Sequence, residues 1–142
     1  MEFILTFHDA SHLDWIEKLE LDAIKIGSGE KGNTPFLRQL GSFGLPVIVS
    51  TGMHGIEDVI QSVDAIAEGG CSEIAVLHCV TSYPTPHEEL NLNAIEAIRN
   101  VFPGPVGYSD HTANDLACIA AVACGAKIIE KHITVLRDVP NG

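Results

Sequence analysis

Short apolar runs alternate with helical segments along the whole chain, and this alternation limits the folds that the chain can adopt. Strands that are separated by single helices over short linkers pair in parallel. The strand-like runs are Glu2–Phe7, Ala23–Ile26, Pro46–Ser50, Glu73–His78, Val106–Tyr108 and Lys127–Lys131. The segments with helical spacing are approximately Ala10–Leu19, Pro35–Gly41, Gly55–Glu68, Leu92–Val101 and Ala113–Cys124. The sequence therefore predicts about six βα units in a single α/β domain.

Helix boundaries carry local signals. Thr34 precedes Pro35, which predicts a helix that is capped by a hydroxyl and has proline in its first turn. Gly44, Gly69–Gly70 and Gly125 follow helical segments and predict their ends.

Polar residues at the strand ends distinguish an open doubly wound sheet from a (β/α)₈ TIM barrel. In an open sheet the ligand binds at one switch point, whereas all strand ends surround the mouth of a barrel. Almost every predicted strand here ends in residues capable of chemistry, namely Thr6–His8, Lys25–Ser28 with Glu30, Ser50–Thr51, His78–Cys79, Ser109–His111 and Lys131–His132. A complete barrel takes roughly 200–250 residues. We therefore expect residues 1–142 to form a partial TIM barrel.

The composition excludes several classes of function. The net charge is −11, with eight Lys and Arg residues in 142, which argues against general nucleic-acid binding. No apolar stretch reaches the 18 residues that suggest a membrane span. The amino-terminal residues lack the basic region and apolar core of a signal peptide, so the sequence predicts a cytoplasmic protein.

Lys25-Ile26-Gly27-Ser28-Gly29-Glu30 is the most informative motif. A lysine inside an apolar strand is costly to bury without an anionic partner. Two glycines around Ser28 allow backbone N–H groups to approach a phosphate or carboxylate. The alternative is a tight βα turn whose lysine pairs with a carboxylate in the core. Ser50-Thr51-Gly52 repeats the pattern one strand later, and its alternative is a simple helix cap.

The last two strands end in His111 and His132, which lie at neighbouring positions in a barrel. Two imidazoles with open coordination positions suit Mn²⁺, Zn²⁺ or Fe²⁺. Asp110 is a candidate to orient a histidine ring or to act as ligand or base. The alternative is that both histidines only cap strands or pack in the core. Thr81 and Ser82 are candidate ligand hydroxyls after the fourth strand. These residues together suggest a barrel enzyme that binds a small phosphorylated anion.

The same motifs resemble those of the sialic acid synthase family, which includes N-acetylneuraminate, legionaminate and pseudaminate synthases and spore-coat relatives. The resemblance runs from about Phe3 to Gly142 and includes Thr6 at the first strand end. Its five motifs, in the order of the family, are K-I-G-S-G-E, V-I-V-S-T-G-M, L-H-C-V-T-S-Y-P, V-G-Y-S-D-H-T and I-I-E-K-H-I-T.

The resemblance implies a TIM barrel that condenses phosphoenolpyruvate with an N-acetylated hexosamine, such as N-acetylmannosamine, and releases phosphate. Lys25, Ser28, Ser50 and Ser109 would hold phosphoenolpyruvate, with Thr6 and Thr81 nearby. Glu30 would lie against the reacting carbons and, with Lys25, take part in catalysis. His111 and His132 would bind a divalent metal, Mn²⁺ or Mg²⁺. Two departures are Thr6-Phe7-His8-Asp9, where the family often has Thr-Pro-Phe-Asp, and Thr81, where relatives frequently carry Asn or Ser.

The resemblance also implies elements outside residues 1–142. The six strands would be the third to eighth of the barrel, and many members add a C-terminal antifreeze-like domain, whose copy in the partner subunit of a homodimer covers the sugar site. Two alternatives to the synthase remain open. One is a metal-dependent aldolase or lyase on a related barrel, and the other is a non-catalytic truncated remnant.

Overall fold

The six strands form one parallel sheet in which neighbours in sequence are neighbours in space. The computed structural model describes residues 2–135. The strands are β1 (Ile4–Phe7), β2 (Ala23–Ile26), β3 (Val47–Ser50), β4 (Ile74–Cys79), β5 (Val106–Asp110) and β6 (Ile129–Lys131). Each connection adds the next strand on the same side, so the winding never reverses as it does in a doubly wound sheet. The prediction of barrel topology is confirmed.

Within residues 2–135, five α-helices follow the first five strands. They are α1 (Trp15–Lys18), α2 (Thr34–Gly41), α3 (Ile56–Glu68), α4 (Asn93–Arg99) and α5 (Leu116–Ala123), with 3₁₀ turns at Ala10–His12, Ser28–Glu30 and His87–Glu89. The helix predicted over Ala10–Leu19 is divided into a 3₁₀ turn and the short α1. Its first part is a tight turn because the Asp9 carboxylate accepts a hydrogen bond from the backbone N–H of Ser11.

The other predicted helices are present with small differences at their ends: α5 begins at Leu116 instead of Ala113, and α2 differs at its cap. The predicted Thr34 cap is wrong: Thr34 is the first residue of α2, and Asn33 precedes it without a capping side-chain hydrogen bond. The Asn33 carbonyl instead accepts the backbone N–H of Leu37. Helix ends are confirmed at Gly44, Gly70 and Gly125, whose φ angles of 74°, 110° and 95° favour glycine.

The sheet is strongly curled. Four interstrand spacings of about 4.8 Å would separate β2 from β6 by about 19 Å in a flat sheet. Yet Nζ of Lys25 on β2 lies 3.6 Å from Oε2 of Glu130 on β6. The concave face therefore closes around a common interior, as in half of a barrel. β1 and β6 are its edge strands.

Side chains alternate between the two faces of the sheet, so that one face packs in the core and the other carries the polar groups. The convex face packs against the helices in an apolar core. Fully buried members of this core are Ile24, Ile26, Leu37, Leu40, Val47, Val49, Ile66, Val76, Ile95 and Val106. Burying one such side chain contributes about 1.5–3 kcal/mol. The core thus fixes the strands and leaves the concave face to carry polar groups.

Candidate functional site

The carboxyl ends of the strands direct polar side chains into one concave mouth. Parallel register places Thr6 beside Lys25 and Ser109 beside Glu130. Paired residues on neighbouring strands point to the same face. The curl of the sheet then brings Lys25 and Ser50 towards Ser109 and Glu130, although these residues lie on four different strands. This arrangement agrees with a barrel mouth to which many strand ends contribute.

Lys25 is buried, with 6% of its surface exposed. Its Nζ donates hydrogen bonds to Ser50 Oγ at 2.7 Å and to the Ile26 carbonyl at 3.1 Å. Burial lowers the pKa of Lys25, and the negative charge of Glu130 opposes that shift. The sequence required an anionic partner for this lysine, and Glu130 is that partner. Glu130 lies at the mouth with its side chain 40% exposed, so the alternative of a carboxylate within the core is not what the structure shows.

Three loops meet at Gly52, which follows β3. The backbone N–H of Gly52 donates to Ser28 Oγ at 2.9 Å, and Ser28 Oγ lies 3.2 Å from Cys79 Sγ. A Cβ atom at Gly52 would lie 2.5 Å from Cγ2 of Thr81 and 2.9 Å from Ser28 Oγ. Glycine at this position therefore lets the loops after β2, β3 and β4 come together, and it brings the predicted ligand residues Ser28 and Thr81 to one place.

The Ser50-Thr51-Gly52 motif does not cap a helix. Thr51 Oγ1 donates to the Leu77 carbonyl at 3.1 Å, which fixes the end of β3 to β4. The residue that precedes α3 is Gly55, whose N–H donates to the Asp58 carboxylate at 2.7 Å. Ser50 faces the mouth, whereas Thr51 has a structural role.

Glu130 is the residue of the site that sequence reasoning missed. Its Oε1 accepts a hydrogen bond from Ser109 Oγ at 2.6 Å, while Oε2 faces Lys25. Glu130 is part of the I-I-E-K-H motif, but the motif alone did not predict a role for this residue. The available signal was a carboxylate two residues before His132, and therefore on the same face of the strand, in a chain whose buried lysine needs a partner.

His111 and His132 face each other at the mouth, with ring centroids 5.3 Å apart. His111 Nδ1 lies 2.6 Å from the Val80 carbonyl, which requires the proton on Nδ1. In the neutral ring, Nε2 then carries a free lone pair, and it lies 3.5 Å from Ser109 Oγ. The ring of Tyr83 packs against His111 at a tilt of 31°, with ring centroids 4.1 Å apart, and makes an edge contact with His132 at a centroid distance of 5.8 Å.

These two histidines fit a divalent metal. Histidine ligands commonly donate their second N–H to a backbone carbonyl, as His111 does. Within residues 2–135, no group of three or more His, Cys, Asp or Glu side chains converges to hold an ion. A metal bound here would take two protein ligands and complete its coordination with water or substrate. The metal itself stays a prediction.

Asp110 does not join this site. Its carboxylate accepts hydrogen bonds from Lys131 Nζ, Thr112 and Cys118 Sγ, on the face opposite to Ser109. Burial raises the pKa of Asp110, but the hydrogen bonds from Lys131 and Thr112 outweigh burial and lower it to about 2. The proposed role of Asp110 as histidine partner, ligand or base is wrong for this structure, because β5 alternates and turns the side chain outward.

Two predicted residues lie at the periphery. Glu30 is half-buried, and its carboxylate accepts a hydrogen bond from Asn33 Nδ2 at 2.7 Å within the same loop. Among the described residues it makes no ion pair with Lys25. Thr6 is exposed on β1, and its Cγ2 lies 3.9 Å from where a Cβ of Gly27 would be. The structure therefore gathers Lys25, Ser50, Ser109 and both histidines, with Thr6 next to Lys25, whereas the Glu30 carboxylate contacts Asn33 in its own loop.

Parallel strands wound in one direction, with the polar site at their carboxyl ends, define a protein of the TIM-barrel class. The sequence identifies the family. The model of the NeuB family matches residues 1–142, and the chain belongs to that family.

Named relatives agree with this assignment. The N,N'-diacetyllegionaminic acid synthase of Campylobacter jejuni is 38% identical over 96% of this chain and 42% of its own length. The spore coat polysaccharide biosynthesis protein SpsE of Bacillus subtilis superimposes with a TM-score of 0.93 and 36% identity, over 99% of this chain and 40% of its own. The N-acetylneuraminic acid synthetase of Leptospira borgpetersenii superimposes with a TM-score of 0.87 and 34% identity. The match covers 93% of this chain and 46% of the synthetase. The chain spans about two fifths of the length of the curated relatives it matches.

None of the helices within residues 2–135 is long and apolar enough to cross a membrane.

Proposed function

We propose that this chain forms part of the barrel of a synthase that joins phosphoenolpyruvate to an N-acetylated hexosamine. The sugar would be N-acetylmannosamine or an analogue, and the products a nonulosonic acid and phosphate. Family membership and the names of the relatives support a synthase. The observation that carries the proposal is the buried ammonium group of Lys25 at the mouth, hydrogen-bonded to Ser50.

An anion such as phosphoenolpyruvate needs positive charge and hydrogen-bond donors in an acidic protein. Lys25 supplies a cation that cannot turn away to water, because Ser50 Oγ and the Ile26 carbonyl hold it. Ser109 adds a hydroxyl on the other side of the mouth, next to Glu130. A charged donor makes stronger hydrogen bonds to a phosphate or carboxylate than a neutral one. We assign Lys25, Ser50 and Ser109 to the anion, with Ser28, Thr81 and Thr6 around it.

The sugar aldehyde would lie beside the two histidines. A divalent metal, Mn²⁺ or Mg²⁺, held by His111 and His132 would act as a Lewis acid that makes the aldehyde carbon electrophilic. The Val80 carbonyl keeps the proton of His111 on Nδ1 and directs Nε2 to the mouth. Tyr83 covers both rings on one side and limits their movement.

The remaining chemistry takes place on phosphoenolpyruvate. Its C3 forms a bond to the aldehyde carbon while the aldehyde C=O π bond breaks and the aldehyde oxygen takes up a proton from solvent, which leaves positive charge at C2. The Glu30 carboxylate would stabilise that charge and orient a water molecule, whose oxygen adds to C2 as a proton passes to the carboxylate. The tetrahedral product then breaks its C2–O bond to phosphate while the new C2 hydroxyl gives its proton to the departing phosphate, which leaves a ketone and inorganic phosphate. Glu30 ends the 3₁₀ turn Ser28–Glu30, and for this role its carboxylate would give up the hydrogen bond from Asn33.

The test is release of phosphate by the whole protein, with product mass measured by mass spectrometry. Release should require phosphoenolpyruvate, the hexosamine and a divalent metal together. Lys25→Met should lower kcat/KM by about 10²–10³-fold, the usual cost of losing one transition-state donor. Lys127→Met is the matched control, because Lys127 is exposed.

The alternatives give different results in the same assay. Turnover of a sugar without phosphoenolpyruvate would identify an aldolase or lyase instead. If the whole protein turned over no combination of these substrates, the hypothesis of a non-catalytic remnant would remain.

A further inference from the structure

Glu130 holds two donors that the proposed substrate requires. Lys25 Nζ lies 3.6 Å from one carboxylate oxygen, and Ser109 Oγ donates to the other at 2.6 Å. Both donors are buried, whereas the Glu130 side chain is 40% exposed. A carboxylate on the protein thus fills the position that the carboxylate or phosphate of a substrate would take.

We propose that Glu130 is a positioning residue that serves as an internal counter-anion. It holds Lys25 and Ser109 in place until a phosphate-bearing anion replaces it, and it returns to help displace the phosphate product. This inference rests on the proposed function only in taking the ligand to be a phosphate-bearing anion.

When an anion replaces Glu130, Lys25 stays in place and Glu130 moves. Lys25 keeps its hydrogen bonds to Ser50 and to the Ile26 carbonyl whether or not Glu130 faces it. Its side chain is 8% exposed, so the ammonium group is largely shielded from bulk water. Glu130 is the partner with access to solvent, and its carboxylate can be hydrated when it leaves. The cation therefore stays fixed while anions exchange on it.

Two carboxylates or a carboxylate and a phosphate cannot share Lys25 without repulsion, because like charges within about 4 Å raise the free energy of the complex. The charge of Glu130 should therefore weaken binding of an anion in the ground state. A purely structural tie between β2, β5 and β6 would have the opposite consequence, since its loss would disorder the donors and weaken binding.

Glu130→Gln separates these two roles. Glutamine has the same shape and can accept the Ser109 hydroxyl through Oε1, but it carries no charge. We expect the Kd of the whole protein for inorganic phosphate and for phosphoenolpyruvate to fall roughly tenfold, by calorimetry, both with Mn²⁺ and with a chelator. The KM for phosphoenolpyruvate should fall, and kcat should fall with it as phosphate release slows. Glu96→Gln, which removes an exposed charge on α4, should change neither constant.

Unchanged or weaker anion binding by Glu130→Gln would overturn the inference. Should this variant fail to fold, Glu130→Asp decides, because it keeps the charge but is too short to reach both Lys25 and Ser109. Its Kd for both anions should lie below that of the wild type, and a Kd equal to or above the wild-type value would overturn the inference.

The experiment also separates this inference from the proposed function. If the wild type binds both anions and Lys25→Met does not, the anion site stands whatever Glu130 does. If neither anion binds in a way that depends on Lys25, the anion site and the counter-anion are both wrong.

Discussion

The ammonium group of Lys131 lies 2.7 Å from Oδ2 of Asp110, a carboxylate with no solvent-exposed surface. The pair joins the ends of β5 and β6 on the helix-facing side of the sheet, and Thr112 completes the hydrogen bonds of the carboxylate. His111 and His132 follow these two residues directly in sequence. The ion pair therefore fixes the backbone from which both histidines reach the mouth.

Asp110→Asn should destabilise the protein by about 3 kcal/mol, because it leaves a partly buried lysine without its counter-charge. The free energy of unfolding in urea would show this loss. Asp64→Asn, at an exposed position of α3, should change it by less than about 0.5 kcal/mol. Equal losses in the two variants would mean that the pair contributes nothing specific.

His132→Ala should abolish binding of Mn²⁺ at the mouth and, with it, metal-dependent turnover. His132 is exposed, so the thermal midpoint of the metal-free protein should stay the same. Calorimetric titration with Mn²⁺ measures the first effect and differential scanning calorimetry the second. His87→Ala, on an exposed 3₁₀ turn, should bind Mn²⁺ like the wild type. Normal activity of His132→Ala would contradict the metal assignment.

Gly52→Ala should weaken binding of phosphoenolpyruvate by roughly tenfold or more, since a misplaced ligand group costs a large factor. The added methyl group would displace Ser28 and Thr81, which lie 2.9 and 2.5 Å from its position. Gly55→Ala is the control, because the nearest atom to its Cβ would be Asp58 Oδ2 at 3.5 Å, an ordinary van der Waals contact. Calorimetry on both variants measures the difference, and equal affinities would show that the loop junction does not position the anion.

His78 should make stability depend on pH. Burial lowers its pKa from 6.5, and this effect outweighs the hydrogen bond between Nε2 and the Leu90 carbonyl. Below pH 6.5 the unfolded chain binds a proton that the folded protein does not. The contribution of His78 is therefore complete above pH 6.5 and decreases as the pH falls towards the lower pKa of the folded state.

The difference between wild type and His78→Gln isolates this effect from the other histidines. Glutamine can still donate to the Leu90 carbonyl but does not titrate. The difference in the free energy of unfolding should shrink as the pH falls from 8 to 5. A difference that stays constant over this range would exclude His78 as its source.

Glu30→Gln should lower kcat by about 10²-fold while the Kd for phosphoenolpyruvate changes little. The substitution keeps the shape and the hydrogen bond from Asn33 but removes the charge assigned to the reaction at C2. Steady-state kinetics and calorimetry on the same preparation measure both constants, with Glu88→Gln on an exposed turn as control. An unchanged kcat would remove Glu30 from the chemistry.

Much of the fold could be predicted from the sequence, because hydrophobic periodicity and the glycines at helix ends are properties of short segments. The alternation of strands and helices predicted the parallel sheet, the polar strand ends predicted its barrel winding, and Gly70 and Gly125 predicted helix ends at positions of positive φ. The burial of Lys25 followed from its apolar neighbours. The need for a carboxylate partner followed from the cost of burying a charge.

The remaining features depend on contacts between residues that are far apart in the sequence and on the face of the sheet that each side chain takes. Lys25 and Glu130 are 105 positions apart and meet only because the sheet curls. Asp110 was misassigned because it lies between two mouth residues in sequence, while its side chain belongs to the other face. Thr34 was misassigned because the chain turned one residue earlier, at Asn33.

Because side chains alternate along β5, the register of this strand decides which residues face the mouth and which face the helices. Ser109 and Asp110 are adjacent, yet one meets Glu130 in the mouth and the other meets Lys131 among the helices. Inserting or deleting one residue within β5 would exchange these surroundings, because side chains on a strand repeat every two residues. Residues within this strand can therefore be replaced only one for one if Ser109 is to keep facing the mouth.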